Sequence, residues 1–225
     1  MWRMMKSICV TAIAMSLATQ AVYADDANKA RILVDRAKES LETFAGDPNM
    51  GWFRDNVVNA KAVLIIPALV KAGFIWGGSG GSGVLLARGS SSQDWTYPAF
   101  YTMGSVTFGL QIGGEVSEIV LMIMTERGVD ALLASSFKLG GDISVAAGPI
   151  GAGAKVQIAD ILAFSRTKGL YGGINIEGAV LKIRNDWNEA YYNRRSVRPR
   201  DIIVSRSVSN AHADPLRRAI ALLVN

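Results

Sequence analysis

The stretch GFIWGGSGGSGVLLARG, residues 73 to 89, decides the fold, because its glycines admit two incompatible readings. Gly78, Gly80 and Gly83 stand in the spacing G-x-G-x-x-G of a dinucleotide-binding turn. Such a turn needs a strand before it and a helix opening at the third glycine to hold the pyrophosphate. It also needs an acid about 20 residues on for the ribose. Here Val84, Leu85, Leu86 and Ala87 run straight into Arg88-Gly89-Ser90-Ser91-Ser92. A short apolar run closed by a turn signal reads as a strand. Asp94 comes too early, and no Gly-Lys-Ser/Thr ending completes a phosphate loop. The glycines therefore belong to a sheet that bends or packs closely, and no nucleotide partner is expected. On this reading Gly80→Ala lowers stability and nucleotides shift nothing.

The texture of that stretch continues on both sides. NVVNAKAVLIIPALVKAGFIW, residues 56 to 76, is apolar but broken by Pro67, and reads as a buried strand or short helix. Residues 105 to 124, 142 to 157 and 159 to 183 combine β-branched residues, partial alternation and paired glycines. They predict antiparallel strands bent where glycine removes the side chain. Between them, TERGVDALLASSFK, residues 125 to 138, predicts a helix with Val129, Leu132 and Leu133 inward. The fold class is α+β: a strongly bent, glycine-rich antiparallel sheet, barrel-like in its curvature, flanked by N- and C-terminal helices.

The flanks carry the charge. Residues 27 to 45 set Ala30, Leu33, Val34, Ala37, Leu41 and Phe44 at helical spacing, with Lys29, Arg31, Asp35, Arg36, Lys38, Glu39 and Glu42 opposite. This is an amphipathic helix ended by Gly46-Asp47-Pro48. Its apolar stripe fits a helix packed on the domain and also fits one lying on a membrane. KIRNDWNEAYYNRRSVRPRD, residues 182 to 201, gathers Lys182, Arg184, Arg194, Arg195, Arg198 and Arg200 among Trp187, Tyr191 and Tyr192. Arginine forks match phosphate oxygens and aromatic rings suit a headgroup interface, although a merely solvated basic face has the same composition. DPLRRAIALLV, residues 214 to 224, predicts a terminal helix with Pro215 in its first turn.

Composition narrows the chemistry. Arg3 and Lys6, the apolar SICVTAIAMSLATQAV and the small-residue spacing Val22-Tyr23-Ala24 predict a secretory signal peptide over residues 1 to 24, cleaved before Asp25. The domain is then residues 25 to 225, without cysteine and held by its core alone. Losing Arg3 and Lys6 lowers the formal charge from +5 to +3, too little for a nucleic-acid partner. His212 is the only histidine, so thiolate and multi-histidine metal sites are excluded. Ser135–Lys138 and Ser165–Lys168 spell S-x-x-K twice, but the S-D-N and K-T-G companions of a serine acyltransferase are missing. No catalytic residue, metal or cofactor is expected.

Three separated segments carry a resemblance. YPAFYTMGSVTFGLQIGGEVSEIVLMIMTERGVDALLASSFKLGGDISVAAGPIGAGAK, ADILAFSRTKGLYGGINIEGAVLK and AYYNRRSVRPRDII resemble the SYLF-domain family of lipid-binding proteins, from about Ala30 to the C-terminus. An exported, stand-alone copy looks like the bacterial branch. The resemblance implies a non-catalytic domain that binds anionic phospholipid or phosphoinositide-type headgroups at a membrane surface. Contact would run through Lys29, Arg31, Leu33, Arg36, Lys38 and Phe44, with Lys182, Arg184, Arg194, Arg195, Arg198 and Arg200 as a second set. Phosphatidylglycerol, cardiolipin or lipopolysaccharide would be the targets for a periplasmic, peripherally membrane-associated protein. Actin, a partner of yeast members, is not expected here. The competing expectation is a structural or interaction protein of the cell envelope.

Overall fold

The computed structural model describes residues 2–73, 76–91, 93–108, 113–151, 158–167, 169–174 and 176–223; side chains in 1–22, 73–77, 106–113 and 171–173 are not described. Helix α1 spans Trp2–Gly46. The chain then turns at Asp47, whose carboxylate accepts from the Asn49 amide, and Pro48 cannot extend the helix. Helix α2 (Gly51–Asn56) leads into four antiparallel strands, β1 (Ala62–Gly73), β2 (Trp76–Ala87), β3 (Ala99–Phe108) and β4 (Gly113–Ile123), the fourth returning to pair with the first. Next come α3 (Glu126–Leu132), β5 (Ser136–Lys138), β6 (Val145–Ala147), β7 (Ile161–Thr167), β8 (Leu170–Gly173) and β9 (Val180–Ile183). Three helices close the chain: α4 (Asn185–Tyr192), α5 (Pro199–Ile203) and α6 (Asp214–Leu222), with Pro215 in the first turn of α6 as expected.

The strands form one sheet in the order β5-β9-β3-β2-β1-β4-β7-β6, with β8 beside β7. It curls strongly into a half-barrel between terminal helices, the α+β architecture the sequence predicts. One pair departs from the antiparallel expectation, since β6 runs parallel to β7.

Both faces of the sheet's lower half are covered, which is why its strands read as near-continuous apolar runs. Val63, Ile65, Val84, Leu86, Phe100, Val120, Met122 and Phe164 pack under α1, α2, α4 and α6. Their neighbours Leu64, Ile66, Leu85, Tyr101, Leu121 and Leu181 pack on the other side with α3 and α5. The stripe of α1 belongs to the first core: Ala30, Val34, Ala37, Leu41 and Phe44 are buried, and Leu33 is nearly so. This corrects the expectation that Leu33 and Phe44 face a membrane, because the sheet already occupies that face of the helix.

The glycine stretch is β2 itself. No helix opens at Gly83, which lies mid-strand opposite Tyr101, so the nucleotide fingerprint has no structural counterpart. Around Pro67 the register of β1 slips against both neighbours, and the bulged backbone crowds β2. A Cβ at Gly81 would lie 2.5 Å from the Ala68 carbonyl oxygen, and one at Gly83 would lie 2.7 Å from that of Ile65. Gly80 has nothing within 4 Å of that position, so the expected loss of stability in Gly80→Ala is assigned to the wrong glycine.

Helix α3 is shorter than the sequence predicts. Thr125 caps it, its hydroxyl accepting from Gly128 N, and it stops at Leu132 because Ser136–Lys138 pairs with β9 and buries Phe137. Asp160 ties this corner together, accepting from the Ser144 and Thr125 hydroxyls at 2.6 and 2.7 Å. Those donors hold its carboxyl below the usual carboxylate range. A depressed folded pKa stabilises above the unfolded pKa, and the benefit is lost as pH falls through the folded value. Asp160→Asn is therefore expected to lower the thermal midpoint at neutral pH and to shrink the difference from wild type as pH falls through the folded pKa of Asp160.

Candidate functional site

Helix α4 is fixed before it can hold anything else. The buried Asn188 side chain accepts from the Phe100 amide at 3.0 Å, and Tyr191 sets its ring edge-on to Phe100 at 5.0 Å. Tyr192 donates to the Pro98 carbonyl at 2.7 Å. The far end of α4 is capped by Asn193 in the left-handed region, with the Arg194 amide reaching back to the Glu189 carbonyl. Helix α1 lies against α4, and Tyr23 Oη donates to the Glu189 carbonyl at 2.7 Å. His212 bridges the same corner, with Nδ1 3.2 Å from Tyr191 Oη and Nε2 3.4 Å from Asp35. Burial pushes the Tyr191 phenol well above its ordinary value, so it serves as a neutral hydrogen-bonding group.

Two depressions flank α1, one on each shoulder of its buried stripe. The larger, of about 680 Å³, is lined by Tyr23, Ala27, Arg31, Tyr191, Asn193 and Arg195. The smaller, of about 260 Å³, is lined by Lys29, Ile32, Leu33, Arg36, Pro67 and Trp187, among others. Lys29, Ile32, Leu33 and Arg36 share that shoulder because they are spaced i, i+3, i+4, i+7. Arg184 stands over the Trp187 ring at 4.2 Å and holds the Asp186 carboxylate with its fork.

The fold thus sorts the twelve candidate residues. Arg31 shares one depression with Arg195, and Lys29 and Arg36 share the other with Trp187, over whose ring Arg184 stands. Lys38 is bound to Glu42, one turn on. Arg194 donates to the Ser207 carbonyl, Arg198 caps α5 through Asp201, and Lys182 and Arg200 are exposed elsewhere. Leu33 and Phe44 lie in the core. Trp187 and the bulge at Pro67, which wall the smaller depression, are parts of the site that charge counting misses. Of the S-x-x-K pairs, Ser135 and Lys138 are exposed, Ser165 is a buried residue of β7, and Lys168 lies outside the described residues. Among the described residues no cluster of acids, histidine or cysteine fits a metal ion, and no helix is long and apolar enough to cross a membrane.

The fold is a curled half-barrel sheet with basic and aromatic side chains along the seam beside its N-terminal helix. Residues 104–223 match the Ysc84 family, described as Las17-binding protein actin regulator. The chain belongs to this family, the SYLF-domain family. It is 34% identical over 172 residues to an SH3 domain-containing protein of Schizosaccharomyces pombe, covering 73% of this chain and 39% of the relative. Protein YSC84 of Saccharomyces cerevisiae is 30% identical over 82% of this chain and 42% of its own length. The human SH3 domain-containing YSC84-like protein 1 is 30% identical over 71% of this chain and 48% of its own. The chain spans less than half the length of these curated relatives, two of which are named for an SH3 domain.

Proposed function

We propose that the protein binds anionic phospholipid headgroups at a membrane surface, without catalysis, through the basic shoulders of α1. The observation that supports this is convergence. Segments more than 150 residues apart bring Arg31 and Arg195 to one partly apolar depression, and Lys29 and Arg36 to another with Trp187, whose ring carries Arg184. Cations attract an anionic surface by about 1 kcal/mol each. The outward face of α1 also carries Asp35, Glu39 and Glu42, which favours discrete headgroup contacts at the shoulders over flat adsorption of the helix. The leader-like residues 1 to 24 support an exported protein, with phosphatidylglycerol, cardiolipin or lipopolysaccharide as targets. Cleavage before Asp25 would remove Tyr23 and leave Ala27, Arg31, Tyr191, Asn193 and Arg195 at the larger depression.

Combined Arg31→Gln, Arg36→Gln and Arg195→Gln should reduce partition onto phosphatidylglycerol vesicles by roughly two orders of magnitude, leaving the circular dichroism native. Lys182→Gln with Arg200→Gln should leave it unchanged. Equal losses in both variants would disprove a localised site.

A second reading follows from the family description, which names an actin regulator, so the same cations would meet an acidic protein surface. Co-sedimentation with actin filaments separates the two. Filament binding with no vesicle binding supports the second reading and ends the first.

A further inference from the structure

We infer that the smaller depression is a binding slot for one acyl-chain segment of a single anionic phospholipid, whose phosphodiester is held by Lys29, Arg36 and Arg184. This rests on the lipid reading above and adds a lipid-by-lipid mode to it. The walls are largely apolar: Ile32 and Leu33 from α1, Pro67 and Ala68 from the bulge of β1, and Trp187, with Ser82 of β2 beside them. The bulge is a fixed wall, because the Ala68 carbonyl sits where a Cβ of Gly81 would stand. A volume of about 260 Å³ is too small for a drug-sized molecule and suits a chain segment.

Charge specifies the head. Lys29 is paired with Asp25 at 2.5 Å and Arg184 with Asp186 at 2.6 Å, whereas Arg36 has no ion pair among the described residues. Lys29 and Arg36 line the depression and Arg184 stands on the ring that walls it, so cations are offered to a phosphodiester at its mouth. One further observation points to an occupant: Ile32, in the lining of the depression, remains 44% exposed.

The test titrates the full chain with lysophosphatidylglycerol below its micelle-forming concentration, by native mass spectrometry and Trp fluorescence. One lipid per protein is expected, bound about tenfold more tightly than lysophosphatidylcholine of the same chain, with glycerol 3-phosphate not bound. Ser82→Phe, which fills the slot from β2, should remove lysolipid binding while salt-dependent vesicle binding through Arg31 and Arg195 persists. Should that variant misfold, Ile32→Asn acts at the exposed mouth without touching the core, and Arg36→Gln removes a cation that has no ion pair among the described residues; each should weaken lysolipid binding by about tenfold. Wild-type affinity in Ile32→Asn and Arg36→Gln, non-saturating uptake of several lipids, or equal affinity for the zwitterion would overturn the slot while leaving vesicle binding as the separate measure of the membrane reading. A protein that takes neither lysolipid nor vesicles ends both.

Discussion

Phe44→Ser is expected to unfold the domain at moderate denaturant, not to release it from membranes. Phe44 is fully buried, its ring 6.3 Å from that of Phe53, which in turn stands edge-on to Phe164 at 5.5 Å. Truncating a core phenylalanine costs about 3–5 kcal/mol in transfer and cavity terms, and an unpartnered hydroxyl adds to that. Against a total stability of about 5–15 kcal/mol, this is a large share. A urea titration followed by circular dichroism reads the loss as a lower midpoint. A Phe44→Ser protein with a wild-type midpoint and lost vesicle binding would place the stripe of α1 on the membrane instead of the sheet.

The second large effect separates glycines that sequence spacing treats alike. Gly83→Ala should destabilise by about 1–3 kcal/mol or more, because the new methyl meets Ile66 Cγ1 at 2.6 Å and the Ile65 carbonyl at 2.7 Å, and backbone cannot step aside as a flexible side chain can. Gly81→Ala meets the Ala68 carbonyl and should behave similarly. Gly80→Ala meets nothing and should be neutral or slightly stabilising, since it removes backbone freedom from the unfolded chain. Thermal midpoints of the three variants decide it. Equal losses in all three would mean that sheet bending, rather than the close approach of the β1 bulge, requires the glycines.

Features written into local sequence were legible: the end of α1 at Gly46, the proline-started α6, and the strands whose apolar runs or alternation exceed five residues. Pairing between distant segments was not. β5 is three residues long and exists only because Phe137 faces Leu181 of β9. Likewise β6 is set by a parallel partner whose register no local pattern encodes. Helix α4 was obscured by the arginines that flank it, although Trp187, Ala190 and Tyr191 at i, i+3 and i+4 are a helical signal. The stripe containing Leu33 and Phe44 was ambiguous for a physical reason, since a core and a bilayer reward the same spacing. For the site, the sequence supplies the cations and the fold selects among them. Arg195 reaches α1 because Asn193 reverses the chain, while Arg194, one residue earlier, turns to Ser207.

The central claim is that cations at the shoulders of α1 bind anionic headgroups. Its most direct test is flotation of the wild-type protein with vesicles of phosphatidylcholine alone and with added phosphatidylglycerol, across a salt series. Binding confined to the anionic vesicles and falling steadily as salt screens the contacts is the predicted result. Equal flotation with both vesicle types, unchanged by salt, would contradict it.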